Sequence, residues 1–560
     1  MNILYNSRET EDKFPFGPLT AGQECRIRIR IPSECEAAEV YLAAEERRVL
    51  LEKADAREGY DVFLGSFSWE EPGLYFYRFC IRDKNGAYEL FRRGDGTNIG
   101  EGDLWQLSVL PREYRVPEPF RGAVYYQIFP DRFAKSGCCN LAGKLEPFTQ
   151  KEFSSFVPNT PDASDFAGGN LRGILEKLDY IAGLGVKVIY LNPIFLAVSN
   201  HRYDTADYTR IDPMLGTEAD FAALCRDAHA RGIRVVLDGV FSHTGKNSVY
   251  FDGEHVFGGG AVSQGPLSPY YKWYDFQEFP HKYMSWWGIE SLPCVRETEP
   301  DYMEYILGEK GVVAKWMALG ADGFRLDVAD ELPDEFIAAL RARVKTMDPE
   351  GVVIGEVWED ASNKESYGVR RKYFTGGELD GVINFPLRKV ILAFAAGEDD
   401  GTALAETVMT LAENYPAGAL DCTMSILGNH DTERVGTLLS EKNARRMAAF
   451  LQFVLPGSPV VYYGDEAGLT GGRDPMCRMP FPWGREDEEL QSLYRELGRM
   501  KNELEALRRG NISILEAGCG RIRFLRTAGG QTVECLADRC EGLCQVFDAS
   551  GKTLFKFPAV

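Results

Sequence analysis

The chain has 560 residues, 12% of them aromatic, and its 63 Lys plus Arg against 84 Asp plus Glu leave a net charge of −21. That length excludes one ordinary domain, although an α/β barrel absorbs about 250 residues or more by itself. The charge disfavours nucleic acid and anionic membranes as partners and suits a neutral ligand.

The opening residues lack a basic segment followed by an apolar stretch, and no run of about 18 apolar residues occurs, so a cytoplasmic chain with no membrane partner is expected. Residues 1–118 read as short strands. Cys25-Arg-Ile-Arg-Ile-Arg-Ile alternates with period two, Leu74-Tyr-Phe-Tyr-Arg-Phe is aromatic-rich, and Glu71-Pro-Gly and Lys84-Asn-Gly supply turns. A β-sandwich of about 110 residues is expected there. Pro111, Pro117 and Pro119 mark a linker.

From 119 to 510 the rhythm changes to apolar strands alternating with helical stretches. Ala123-Val-Tyr-Tyr-Gln-Ile-Phe opens this rhythm; Val186-Lys-Val-Ile-Tyr-Leu, Arg234-Val-Val-Leu, Gly323-Phe-Arg-Leu, Val352-Val-Ile, Gly381-Val-Ile-Asn and Val460-Val-Tyr-Tyr are the candidate barrel strands, Thr423-Met-Ser-Ile-Leu is strand-like, and helices are expected over 170–181, 305–319 and 486–509. The α/β alternation points to a (β/α)8 TIM barrel rather than an open sheet. The wide gap after Asp238 leaves room for an inserted subdomain at about 244–300, following strand three and rich in Tyr, Phe and Trp. After Gly510, Ile512-Ser-Ile-Leu and Arg521-Ile-Arg-Phe-Leu suggest a small C-terminal β-domain over 511–560. The thirteen cysteines include Cys138-Cys139 and a C-terminal group, Cys519, Cys535, Cys540 and Cys544, with no Cys-x-x-Cys spacing; reduced thiols are expected, and no metal site.

Asp327 ends one apolar run and Glu356, 29 residues later, ends another. If the two runs are neighbouring parallel strands, both acids sit at one C-terminal edge, and two acids facing one cleft are the minimum equipment for cleaving a glycosidic bond with retention. Strand periodicity puts Arg325 on the face of Asp327, where a guanidinium favours the ionised form that a nucleophile needs. Glu356, flanked by Val357 and Trp358, has apolar surroundings suited to a protonated acid. Either segment alone reads better as a buried ion pair or a helix cap, and their joint appearance reverses that.

Gly428-Asn-His-Asp-Thr-Glu-Arg supplies His430 and Asp431, and Leu237-Asp-Gly-Val-Phe-Ser-His supplies Asp238 and His243. No His-x-x-x-His or His-Glu-x-x-His spacing occurs, which disfavours zinc. Neutral imidazoles bonding to sugar hydroxyls fit these segments better.

Asp238 to His243, Gly323-Phe-Arg-Leu-Asp, Gly355-Glu-Val-Trp and Asn429-His-Asp, in this order, resemble the four signature regions of the α-amylase family, glycoside hydrolase family 13. Tyr126-Gln-Ile-Phe-Pro-Asp-Arg-Phe, Val188-Ile-Tyr-Leu-Asn-Pro-Ile-Phe and Pro456-Gly-Ser-Pro-Val-Val-Tyr-Tyr-Gly-Asp-Glu are similar to its first, second and eighth barrel strands. The resemblance implies that Asp327 is the nucleophile, Glu356 the acid/base, and Asp431 a ligand of sugar hydroxyls. It implies that Arg325, His243 and His430 position the ring, Tyr203 stacks beneath it, Asp238 supports Arg325, Asp474 and Arg478 hold the next sugar, and Trp358 lies on the leaving-group side.

Val-Ala-Asp-Glu after the nucleophile resembles the neopullulanase and cyclomaltodextrinase group, whereas Ser291-Leu-Pro-Cys-Val-Arg departs from the family's fifth region. The implied substrate is an α-glucan, cleaved at α-1,4 and in some cases α-1,6 bonds. A glucanotransferase using the same intermediate and a non-catalytic sugar-binding barrel are the alternatives. No cofactor is required by this reading. Calcium stays open, because Ser242 replaces the asparagine that is the common ligand; a homodimer and the role of the N-terminal domain stay open as well.

Overall fold

The computed structural model describes residues 2–158 and 163–558. They form two compact units. The first gathers Met1–Arg115 with two later stretches, Asp360–Glu378 and Val408–Leu420. Its strands Glu24–Pro32, Tyr60–Ser68, Arg47–Arg57, Glu39–Ala44, Gly73–Asp83 and Trp105–Leu110 lie side by side in that order. The alternation read from the sequence is real: Cys25, Ile27, Ile29 and Ile31 point inward and share a core with Val40, Leu42, Phe79, Ile81 and Trp105. The start of Arg47–Arg57 pairs with Glu39–Ala44 and its end with Tyr60–Ser68, so one long strand serves both halves of the layer. The later stretches are tied in by polar contacts. Glu413, 5% exposed, accepts from Arg8 Nε at 3.1 Å and lies 3.4 Å from Arg92 Nη2, and Gln106 donates to Ser362 Oγ at 3.0 Å.

The second unit is built on eight parallel strands: β1 Tyr125–Ile128, β2 Val188–Leu191, β3 Arg234–Gly239, β4 Gly323–Leu326, β5 Val352–Gly355, β6 Gly381–Val382, β7 Met424–Ile426 and β8 Ser458–Tyr462. Each pairs with the next in chain order except β6 and β7, and β8 returns to β1. A single parallel bridge from Ile383 to Met424 spans the β6–β7 gap and closes the barrel. Helix-covered parallel strands are buried on both faces, which is why these runs are continuously apolar rather than alternating.

The helices start where polar caps satisfy their first N–H groups. Asn170 accepts from Gly173 N, Thr217 and Asp220 form a capping box, and Asp487 accepts from Leu490 N. The expected helix over 305–319 is instead two, Pro300–Leu307 and Val312–Ala318. Gly308 ends the first, in a position where a Cβ would lie 2.3 Å from Glu304 Oε1. The expected helices over 170–181 and 486–509 are each broken once, at Lys177 and Leu504.

The 244–300 insert holds short helical turns and the hairpin Phe276–Glu278 with Lys282–Tyr283, and a bridge from Cys294 to His243 anchors it to the end of β3. A five-stranded antiparallel meander, Asn511–Gly518 through Thr553–Phe557, ends the unit, with Phe555 stacked on Phe450 of the helix Lys442–Val454 at 5.5 Å. All thirteen cysteines are free thiols. Among the described residues no helix is long and apolar enough to cross a membrane.

Candidate active site

Strand register builds the centre. On β4 and β5 Leu326 is paired with Gly355, so Asp327 and Glu356, the next residue of each strand, emerge side by side at the C-terminal edge. On β3 and β4 Asp238 is paired with Arg325. The buried Arg325 guanidinium therefore meets three carboxyl groups. Its Nη1 donates to Asp238 Oδ1 at 2.6 Å and to Asp327 Oδ1 at 2.9 Å. Its Nη2 lies 2.7 Å from Glu356 Oε2 at an angle outside hydrogen-bond range, an ion-pair contact rather than a directed bond.

Glu356 is held by two further donors, the Val328 N–H to Oε2 at 2.8 Å and the Trp358 indole N–H to Oε1 at 3.1 Å. Val328 has φ 37° and ψ 61°, a left-handed conformation that costs a β-branched residue about 1–3 kcal/mol. Trp358 is 47% exposed and its ring lies flat on Phe385, the centroids 3.9 Å apart.

Burial pushes Asp327 well above the usual aspartate range; Arg325 pulls the other way, and Glu356, Asp238 and Asp431 add to the rise. Arg325, shared among three acids, acts on Asp327 against burial and the neighbouring carboxylates. Asp431 is pushed up to about 7 by burial and by the charge of Glu356, against the pull of Arg478, although about a third of its side chain (32%) meets solvent.

A relay of hydroxyl, imidazole and amide groups fixes the floor of the site. Gln127 Nε2 donates to Asn192 Oδ1 and contacts His430 Nδ1, both at 3.0 Å. An amide N–H can only donate, so His430 Nδ1 is an acceptor and its proton sits on Nε2. Nε2 lies 2.6 Å from the Tyr203 hydroxyl, which donates to Asp238 Oδ2 at 2.8 Å beside a second donor, Tyr190 OH, at 2.7 Å. The Tyr203 and His430 rings are parallel, 5.3 Å apart. Burial and the nearby Arg478 and Arg325 push His430 well below the ordinary histidine range, so it is neutral.

Both nitrogens of His243 are engaged within the protein, Nε2 with the Tyr203 carbonyl at 3.1 Å and Nδ1 with the Ser242 hydroxyl at 3.0 Å. Burial lowers it to about 4. Among the described residues no group of three or more His, Cys, Asp or Glu is placed to hold a metal ion.

Asp431 Oδ2 lies 3.2 Å from His430 Nε2 and its Oδ1 3.4 Å from Arg478 Nη2, and Arg478 in turn reaches Asp474 at 2.8 Å. Every residue singled out from the sequence thus belongs to one connected network. The sequence reading passed over Gln127, Tyr190, Asn192 and Phe385. A polar residue inside an otherwise apolar strand, as Gln127 is in β1, was the available signal. It also did not distinguish Trp286 within the aromatic insert. Trp286 packs on His243 at 5.6 Å and is stacked on the 74% exposed Trp287 at 4.9 Å, a column running from the buried imidazole to solvent.

A parallel eight-stranded barrel with paired carboxyls at adjacent strand ends, flanked by exposed tryptophans, is the architecture of a barrel glycosidase. Residues 127–502 match the family model of the α-amylase catalytic domain. The chain belongs to the α-amylase family. It is 33% identical to an amylopullulanase of Thermoanaerobacter thermohydrosulfuricus, over 92% of this chain but only 40% of that protein, so it spans less than half the length of that relative. Neopullulanase 2 of Thermoactinomyces vulgaris is 31% identical over 95% of this chain and 91% of its own. Among solved structures, the cyclic α-maltosyl-(1→6)-maltose hydrolase of Arthrobacter globiformis is similar at TM-score 0.68 and 34% identity, covering 76% of this chain and 92% of that one.

Proposed function

We propose that this chain is a retaining α-glucan hydrolase acting on α-1,4 bonds, and also on α-1,6 bonds, of maltooligosaccharides, cyclodextrins, pullulan or starch. The observation that carries the reading is the placement of Asp327 and Glu356 one residue beyond the paired Leu326 and Gly355, both carboxyls touching Arg325. Contact with one shared guanidinium favours the short carboxyl separation of retaining enzymes over the wider gap that leaves room for an inverting water. The names of the relatives, which span amylopullulanase, neopullulanase and a hydrolase of an α-(1→6)-linked maltose ring, support both the glucan and the mixed linkage.

In this reading Asp327 attacks the anomeric carbon while Glu356 gives its proton to the leaving oxygen, forming a β-glycosyl ester. Glu356 then takes a proton from water as the water displaces Asp327, which restores the acid and yields the α product. Asp431 binds hydroxyls of the distorted ring, Arg478 and Asp474 hold the neighbouring sugar, and Trp358 offers its exposed face on the leaving-group side. Arg325, Asp238, Tyr203, His243 and His430 position these groups. Five acids, Asp238, Asp327, Glu356, Asp431 and Asp474, face two guanidinium groups, Arg325 and Arg478, and double displacement requires one proton among them. We assign this chemistry to a barrel domain over 119–510, less 360–378 and 408–420, which belong to the first unit, preceded in the chain by a domain over 1–118 and followed by one over 511–560. A cytoplasmic location goes with the reading, supported by thirteen free thiols.

Proton NMR of maltotriose or pullulan digestion tests it: the new reducing end is expected to appear first as the α anomer. Initial release of the β anomer, or no release of reducing ends, overturns the reading.

A further inference from the structure

At the end of the barrel opposite Asp327 lies a cavity of about 290 Å³. Its lining is Pro119, Ala123, Lys187, Gly232, Arg234, Asn502 and Arg508: three cations, one amide and no carboxylate, in a chain of net charge −21. Its position follows from the strand starts. Ala123 and Lys187 precede β1 and β2, and Arg234 opens β3, with the Arg234 N–H donating to the Lys187 carbonyl at 2.9 Å.

The cations are unevenly compensated. Arg234 is paired with Asp322 at 2.9 Å and lies 3.7 Å from Asp348. Lys187 and Arg508 have no carboxylate within ion-pair distance among the described residues. Glu118, the acid close enough to feel Arg508, is itself bonded to Arg121 at 2.7 Å and Arg509 at 2.6 Å. Two cations without carboxylate partners line one concavity, and an oxyanion held there would accept from their N–H groups and from the Asn502 amide, whose Nδ2 also donates to the Gly185 carbonyl at 2.7 Å. The compact, acid-free lining favours a phosphate group over a carboxylate, since its tetrahedral oxygens can meet donors from several walls at once.

We propose that this cavity binds a phosphate-bearing anion, inorganic phosphate or a sugar phosphate, at the end of the barrel away from the glycosidase centre. The inference does not depend on the glucan reading. The test is titration of the full-length protein with inorganic phosphate at constant ionic strength, followed by ³¹P line broadening and calorimetry, with chloride as the control. Binding at about 1 mM or tighter is expected. Lys187→Glu, a change at an exposed side chain, and the double variant Lys187→Ala/Arg508→Ala should each weaken it at least about tenfold, with glucan hydrolysis unchanged. Glucose 1-phosphate forms the second arm: tighter binding than phosphate identifies a sugar phosphate as occupant, and equal or weaker binding identifies the free ion. No phosphate binding beyond the chloride control overturns the proposal. So does undiminished affinity in Lys187→Glu, which remains informative even if the double variant fails to fold.

Discussion

Trp358 donates its indole N–H to Glu356 Oε1 at 3.1 Å while its ring lies 3.9 Å from that of Phe385. One side chain thus serves two purposes, a hydrogen bond to an acid and a platform half open to solvent. Replacing it by Phe separates them. Trp358→Phe keeps the stacking surface and loses the donor, so kcat is expected to fall about tenfold with KM changed little. Trp358→Ala also removes the platform and should raise KM about tenfold. Steady-state kinetics on a maltooligosaccharide check both, and equal effects of the two variants on KM would exclude the platform role.

Asp327→Asn should lower kcat by about 10³-fold or more while leaving the circular dichroism spectrum unchanged. The substitution keeps the volume and removes the nucleophile. Turnover within tenfold of the parent would mean that another group attacks.

Arg325→Met leaves Asp238, Asp327 and Glu356 facing one another without their shared cation. The variant is expected to lose about 3–5 kcal/mol of stability at neutral pH. Repulsion raises the folded-state affinity of these acids for protons, so the deficit should shrink as pH falls toward about 5. Denaturant melts at two pH values measure it.

The fold was legible in the sequence where burial imposes a local pattern. The arginine–isoleucine alternation of 25–31 announced a half-buried strand, and the succession of apolar runs announced the barrel, because parallel strands covered on both faces have no polar side to show. Even β6 and β7, two and three residues long, lay within runs read as strands. What could not be read was contact at a distance. Nothing local to Glu413 marks Arg8 as its partner, and nothing local to Gln127 marks His430. The helix breaks at Lys177, Gly308 and Leu504 escaped notice because hydrophobic periodicity runs on through a one-residue kink.

Asp431 is the group whose titration stability should register. Its folded pKa of about 7 lies above the ordinary 3.8, so the folded state binds this proton more tightly. The resulting stabilisation is complete below the ordinary value and lost as pH rises through about 7. Asp431→Asn removes that dependence. The thermal midpoint of the parent is expected to drop more than that of the variant between about pH 5 and about pH 8, by about 1–2 °C, a small difference because the side chain is partly solvated. Identical slopes would place the elevated pKa elsewhere in the cluster.

Val328 stores strain beside the acids. Val328→Gly relaxes the left-handed backbone yet retains the N–H that reaches Glu356, so stability should stay within about 1 kcal/mol of the parent. Val328→Pro cannot adopt the conformation or supply the donor, and is expected to lose activity outright. Comparing the two isolates the contribution of that N–H.

The first compact unit is assembled from three separate stretches of sequence, with Glu413 held by Arg8 and Arg92 and Ser362 held by Gln106. The polypeptide therefore leaves the barrel and returns to it twice after its first passage, between β5 and β6 and again between β6 and β7. No single cut near residue 115 liberates an intact barrel protein. Such a cut abandons the buried Glu413 without its cations in the second of the two excursions, and Ser362 without Gln106 in the first. Insertions, deletions and recombination along this gene are constrained accordingly: the amino-terminal region can be exchanged for that of a relative only if 360–378 and 408–420 travel with it.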